Sequence, residues 1–172
     1  MGLSLSASRR VSRCFSDSPD FNSACDSEFE ACLSLTQHAF QGVRPYQLHS
    51  AANRLHRSLH GTHPLVSHWL PAPPTRSQTD RAYVAVVSRR SGKEPSDDES
   101  LGRAEFRAFA VEVFTEAVVA NARKALLRRV PIGVAGIAGI GVVSRSGKDL
   151  VAAAIGIYAL AVATNVYLSL AA

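Results

Sequence analysis

From Leu150 to Ala172 the chain runs for 23 residues without a charged side chain. A helix of that length rises roughly 35 Å, enough for the ~30 Å hydrocarbon core of a bilayer. Nothing else in the sequence restricts the fold so strongly. A lone span in lipid must satisfy its own backbone hydrogen bonds, and only a helix does so within one segment. A second apolar run, Val130 to Val143, precedes it across a short polar loop. That run covers roughly 21 Å, short for a full crossing, so it calls for tilt of its partner, local thinning or a re-entrant path. Residues 130–172 therefore read as an apolar, Gly/Ala-rich membrane hairpin. Ala135, Gly136 and Gly139 in the first run, and Ala152 and Gly156 in the second, are small residues at spacings that let helix backbones approach closely, within the hairpin or between copies. Lys124, Arg128 and Arg129 precede the hairpin, against Arg145 and Lys148 in its loop, which favours a cytosolic amphipathic domain.

Two other readings of this stretch compete. In a soluble all-α domain the hairpin would be the core, but about 130 remaining residues are few to wrap two wholly apolar helices. A phosphate-binding loop fails on register. Gly147-Lys148 requires glycine at position 142, which is Val142, and Asp149 replaces the hydroxyl that would hold magnesium. Gly139-Ile140-Gly141 is followed by Ser144 where a dinucleotide fingerprint needs its third glycine.

The net charge of +5 favours anionic partners. No basic stripe interleaved with aromatics is present, so lipid rather than nucleic acid is the expected partner. Cys14, Cys25 and Cys32 form no C-x-x-C pair, and their odd number argues against a disulfide framework. The opening "MGLSLSASRRVSRCF" contains Arg9, Arg10 and Arg13 and no acid. It matches the myristoylation pattern, with Gly2 as acceptor and Ser6 in place. One acyl chain binds membranes only marginally, so the arginines, or palmitoylation of Cys14, would supply the second signal. An organelle transit peptide and a disordered basic segment over residues 1–17 are the alternatives. The first places the chain on the cytosolic side of the plasma membrane or an endomembrane, the second in a mitochondrial or plastid membrane.

Residues 18–63 read as a helical hairpin. Ser18 can cap, Pro19 suits the first helical position and Asp20 complements the helix end. Phe21, Cys25, Phe29, Cys32 and Phe40 recur at helical spacing, with Gly42 as the stop. Pro45 begins a second helix carrying Leu48, Ala52, Leu55 and Leu59. His56 and His60 stand at i,i+4, a legitimate metal spacing, but no third ligand lies nearby in sequence and no metal is expected. Residues 64–78 read as a Pro-rich linker. Over Thr79–Arg90, Tyr83, Val84, Val86 and Val87 permit a strand, but the cap at Thr79-Asp80 and Ala82 and Ala85 favour a helix; the strongest amphipathic pattern of the chain follows. There Phe106, Phe109, Ala110, Val113, Ala117 and Ala120 share one face, away from Arg107, Glu112, Glu116 and Arg123.

Over residues 79–129, helix, acidic loop and helix give the outline of an EF-hand. With Glu105 at the twelfth loop position, Glu94, Ser96 and Asp98 take the first, third and fifth and Leu101 the hydrophobic eighth. Glu99 stands where the turn glycine belongs, so the two halves of the loop lose the sharp bend that makes oxygens converge on calcium.

The segments "LGRAEFRAFAVEVF", "LRRVPIGVAGIAGIG" and "SRSGKDLVAAAIGIYALAVATNVYLSL", with "MGLSLSASRRVSRCF" and "GVRPYQL", resemble a family of small plant membrane-associated proteins with a degenerate EF-hand-like segment and a C-terminal hydrophobic hairpin. The resemblance implies membrane association and assigns no catalytic residue. The sequence displays no nucleophile–base pair, paired carboxylates or cofactor motif. The expectation is an all-α, non-enzymatic, cofactor-free membrane-anchored adaptor that meets protein partners through its amphipathic helices. The alternatives are a homo-oligomer that forms a pore or shapes the bilayer through the glycine-rich hairpin, and a calcium-responsive regulator.

Overall fold

The computed structural model describes residues 2–91, 99–143 and 148–169, with side chains at 6–90, 99–128 and 151–169. Among these residues the chain is all-α, with helices α1 (Gly2–Asp17), α2 (Pro19–Leu35), α3 (Pro45–Leu59), α4 (Pro64–Trp69), α5 (Arg76–Ser91), α6 (Arg103–Val143) and α7 (Lys148–Ser169). Two compact units divide it, Met1–Val119 and Ala120–Ala172.

The first unit corrects the disordered reading of residues 1–17. Ala7, Val11 and Phe15 fall on one face of α1 and are buried, while Arg9 and Arg13 are exposed. The i, i+4, i+8 spacing places that stripe on one face of the helix. Phe15 enters an aromatic cluster with Phe21 (4.8 Å between centroids), His63 (4.9 Å) and Phe114 (6.1 Å). Helix α2 starts as its sequence dictates. Ser18 Oγ accepts the Phe21 N–H at 3.3 Å, and Pro19 opens the helix.

The end of α2 differs from expectation. It stops at Leu35, well before Gly42, through Gln37 and His38 at φ of 50° and 55°. The His38 N–H closes back on the Leu33 carbonyl and the Gln37 N–H on that of Ser34, satisfying helix-end acceptors in the Schellman manner. Phe40 consequently leaves the core stripe and is 40% exposed. The expected Pro-rich linker at 64–78 is also largely structured. Pro64 takes the first position of α4, which buries Leu65, Val66 and Trp69. Helix α5 starts at Arg76, capped by a reciprocal pair in which Gln78 Oε1 accepts from the Thr75 N–H and Thr75 Oγ1 from the Gln78 N–H.

Helix α6 lays Phe106, Phe109, Ala110, Val113, Phe114, Ala117 and Val118 into the core. The face is wider than the predicted stripe, with Phe114 and Val118 added. Its polar side pairs across helices: Arg107 with Asp26 of α2, Glu112 with Arg89 and Glu116 with Arg81 of α5. Such exposed pairs stabilise by only about 0–1 kcal/mol each, so burial does most of the work.

His63 lies in the aromatic cluster at 5% exposure, its Nδ1 without a hydrogen-bond partner. Burial lowers its pKa, against an opposing pull from Asp20. The unfolded chain therefore takes up this proton more readily than the folded one. The stability linked to His63 is complete above the unfolded value near pH 6.5 and falls as pH drops towards the lowered folded value. Replacing His63 by Phe is expected to flatten the loss of thermal stability as pH falls below about 6.5. An unchanged slope in pH-dependent melts would remove His63 as its source.

Helix α6 continues unbroken through Pro131 to Val143, so the first apolar run is the end of α6 rather than a separate helix. Pro131 removes one i→i−4 hydrogen bond, a loss that soluble helix interiors rarely accept and membrane helices tolerate more readily. The other helix of the second unit, α7, contains one stretch long and apolar enough to cross a membrane, Val151–Ser169, with mean hydropathy 1.8. Only 6% of that window is buried.

Candidate functional site

The loop after α2 and the loop before α6 meet in the first unit. The Val43 N–H donates to the Leu101 carbonyl and the Leu101 N–H to the Val43 carbonyl, both at 2.9 Å, forming an isolated antiparallel bridge. Both side chains are fully buried. Each bridge residue is followed by the same device. Gln47, third residue of α3, folds back so that Oε1 accepts the Arg44 N–H at 3.0 Å. Glu105, third residue of α6, does the same to the Gly102 N–H at 2.8 Å. The offsets are identical, 43-44-47 and 101-102-105. The helix–loop–helix units α2–α3 and α5–α6 are thus paired at equivalent loop positions.

Counted as twelve-position loops, Val43 and Leu101 take the eighth place, and Gln47 and Glu105 the twelfth. The first loop then offers Thr36, His38 and Phe40 at positions one, three and five and a neutral amide at twelve, with no carboxylate among them. Calcium sites are built from several oxygens including carboxylates. In the second loop, Glu94, Ser96 and Asp98 lie outside the described residues. Glu105 is described, and both its oxygens are engaged: Oε2 by Gly102, Oε1 by Arg90 Nη1 at 2.8 Å. Burial raises the Glu105 pKa, but the Gly102 N–H and the Arg90 guanidinium outweigh it and hold the carboxyl below its ordinary value. Arg90 also pairs with Glu99, so one guanidinium joins two acids of this loop.

A polar knot ties the loop pair to α2. Gln47 Nε2 donates to the Cys32 carbonyl at 2.9 Å, and Arg54 Nε to Glu28 Oε1 at 2.7 Å. The Cys32 thiol, between Glu28 and Arg54, is pushed up to about 12 by burial and then by the Glu28 charge. Cys25 is likewise raised to about 12, chiefly by burial. Neither presents a thiolate at neutral pH, so neither is a nucleophile.

The remaining sequence candidates are scattered. Gly2 is the first residue of α1, and Cys14 is a half-buried free thiol on the same helix. Ala152 and Gly156 are exposed, and among the described residues a Cβ at Gly156 would meet nothing within 4 Å, so this small-residue face is open there. Side chains at Ala135, Gly136 and Gly139 lie outside the described residues. His56 Nε2 donates to the Leu70 carbonyl at 2.8 Å, which takes it out of any pairing with His60 through that nitrogen. Among the described residues no three His, Cys, Asp or Glu side chains converge on a metal position.

Sequence reasoning missed the first loop, because it searched for acids and that loop has none. The available signal was the matched order of a hydrophobe and, four residues on, a Gln or Glu that can fold back as a cap. Comparison with family models, with curated proteins and with solved structures found no match.

Proposed function

We propose that this chain is a non-enzymatic, membrane-anchored adaptor, in which a paired helix–loop–helix module of EF-hand outline is held together without calcium. The observation that carries the anchor is the apolar window of α7. Ile157, Leu160 and Leu168 are 70%, 69% and 58% exposed, which is costly in water and favourable in lipid. The adaptor reading draws on a second exposed apolar group around the first loop, Leu35, Phe40 and Tyr46. The three lie within twelve positions of the sequence around that loop, and contiguous exposed apolar surface is the mark of a protein contact. The integration of α1 into the aromatic cluster supports a retained N-terminus, since cleavage after Arg13 would remove Val11 from the core. That favours the cytosol-facing location, with Gly2 and Cys14 as acyl acceptors, over an organelle interior.

Carbonate extraction tests the anchor. The intact chain is expected in the membrane pellet. Leu160→Asp places a charge in the span at a cost of about 2.5–3.5 kcal/mol, which should shift the membrane-to-soluble ratio on the order of 100-fold. Release of the intact chain by carbonate alone would overturn the anchor. A second reading, self-association through the α7 small-residue face, is favoured by the open surface at Gly156. Gly156→Leu should then remove cross-linked oligomers. For calcium, titration calorimetry is expected to give no heat of binding from micromolar to millimolar; a saturable heat lost in Glu105→Gln would restore the regulator reading.

A further inference from the structure

A cleft of about 380 Å³ opens on the first unit between α1, α2, α5 and α6. Ser12, Ser16, Asn22, Arg89, Arg107 and Glu112 line it. Two arginines and two serines share that lining, and the arginines have donors beyond those their acids take. Arg107 gives one Nη to Asp26, yet its Nε is buried with no hydrogen-bond partner. Arg89 gives one Nη to Glu112 at 2.7 Å, and its side chain is 64% exposed. The Arg107 side chain is 41% exposed, so its remaining N–H groups can reach an anion's oxygen entering the cleft, and its Nε is the donor that lacks an acceptor. The sequence adds an independent pointer to the same wall. Ser12 follows Arg9, Arg10 and Val11, and two arginines two and three residues before a serine are the charge pattern that arginine-directed protein kinases read with acidic grooves.

We propose that Ser12 is a phosphorylation site, and that its phosphate is received in cis by Arg107 and Arg89 in this cleft. The step needs a kinase and a nucleoside triphosphate. The Ser12 oxygen bonds to the γ-phosphorus, the bond from that phosphorus to the β–γ bridging oxygen breaks, nucleoside diphosphate leaves, and the hydroxyl proton passes to the kinase's catalytic carboxylate. Kinases take substrates in extended form, so α1 opens locally to be modified and recloses afterwards. On reclosure the dianion supplies three acceptor oxygens to a cleft wall that carries two cationic forks and one acid. The closing residues of α1, Cys14–Asp17, carry the negative helix end, and Ser12 stands before them. Modification therefore fastens α1 to α5 and α6 rather than expelling it.

The test uses the full chain in detergent or vesicles, treated with an arginine-directed kinase and magnesium ATP. Intact mass and peptide mapping should find one phosphate on Ser12, absent in Ser12→Ala. Phosphorus NMR then follows its second ionisation. A free phosphoserine titrates near pH 6, and the arginine-held group is expected about tenfold more acidic than the same phosphorylated segment as a peptide. Arg107→Gln should return it towards the peptide value, and so should Arg89→Gln, which touches only a surface pair and leaves folding intact. A wild-type titration equal to the peptide's overturns the proposal. So does a kinase that leaves Ser12 unmodified, including the case in which the Ser12→Ala chain binds inorganic phosphate or phosphoinositide vesicles through Arg107, which would assign the cleft to free or lipid phosphate.

Discussion

Replacing Phe114 by Ala is expected to destabilise the first unit by about 3–5 kcal/mol, the range for truncating a buried aromatic. Phe114 has no exposed surface, and its ring meets Phe15 of α1 at 6.1 Å and Phe21 of α2 at 5.8 Å, the latter nearly edge-on at 82°. The truncation removes the side chain on which two other helices converge. These neighbours are themselves aromatic and cannot collapse into the void without leaving their rotamers, so most of the cavity persists. A loss of this size is about a fifth or more of the ~5–15 kcal/mol that holds a typical domain together. Trp69 reports it directly, being the single tryptophan of the chain and buried in α4. Urea titration followed by its fluorescence should show a lower midpoint at unchanged slope. Val84→Ala, at a position 45% exposed, serves as control and should move the midpoint little. A Phe114→Ala midpoint close to that of the control would mean that the aromatic cluster is not the centre of the unit.

What the sequence disclosed and what it hid follow from the range of each interaction. The helices around Phe21–Cys32, Leu48–Leu59 and Phe106–Ala117 were readable, because their apolar stripes are set by local period and their starts by Ser18-Pro19 and Pro45. The charge-free run that became α7 was readable from composition alone. Helix α1 was misread because its arginines and serines give a polar average, while the stripe Ala7–Val11–Phe15 becomes meaningful only against Phe21 and Phe114. The linker expected from proline content is partly helical because Pro64 opens a helix. Half of the paired-loop site was visible in Leu101 and Glu105. The other half depends on a bridge between residues 58 apart, Val43 and Leu101, which no local pattern records.

Gly42 carries the second large expectation. It precedes the bridge residue Val43, and a Cβ built on it would stand 2.5 Å from the Leu101 carbonyl oxygen and 2.9 Å from the carbonyl carbon. Both atoms are backbone, and that oxygen accepts the Val43 N–H. The loop cannot yield by turning a side chain; it must separate from its partner. Gly42→Ala is therefore expected to combine overpacking, about 1–3 kcal/mol, with weakening of two buried hydrogen bonds at about 0.5–1.5 kcal/mol each. Glycine at 42, which reads in sequence as a helix stop, acts instead as the clearance that lets two loops touch. Gly61 supplies the contrast. Nothing lies within 4 Å of a Cβ there, so Gly61→Ala should be nearly neutral or mildly stabilising. Amide exchange separates the two effects of Gly42→Ala. The Val43 and Leu101 N–H groups should lose protection by a larger factor than amides in the middle of α3, because the bridge opens before the unit does. Equal protection at Val43 in the wild type and the Gly42→Ala variant would show that the loops do not depend on this contact, and the pairing of the two helix–loop–helix units would then rest on helix packing alone.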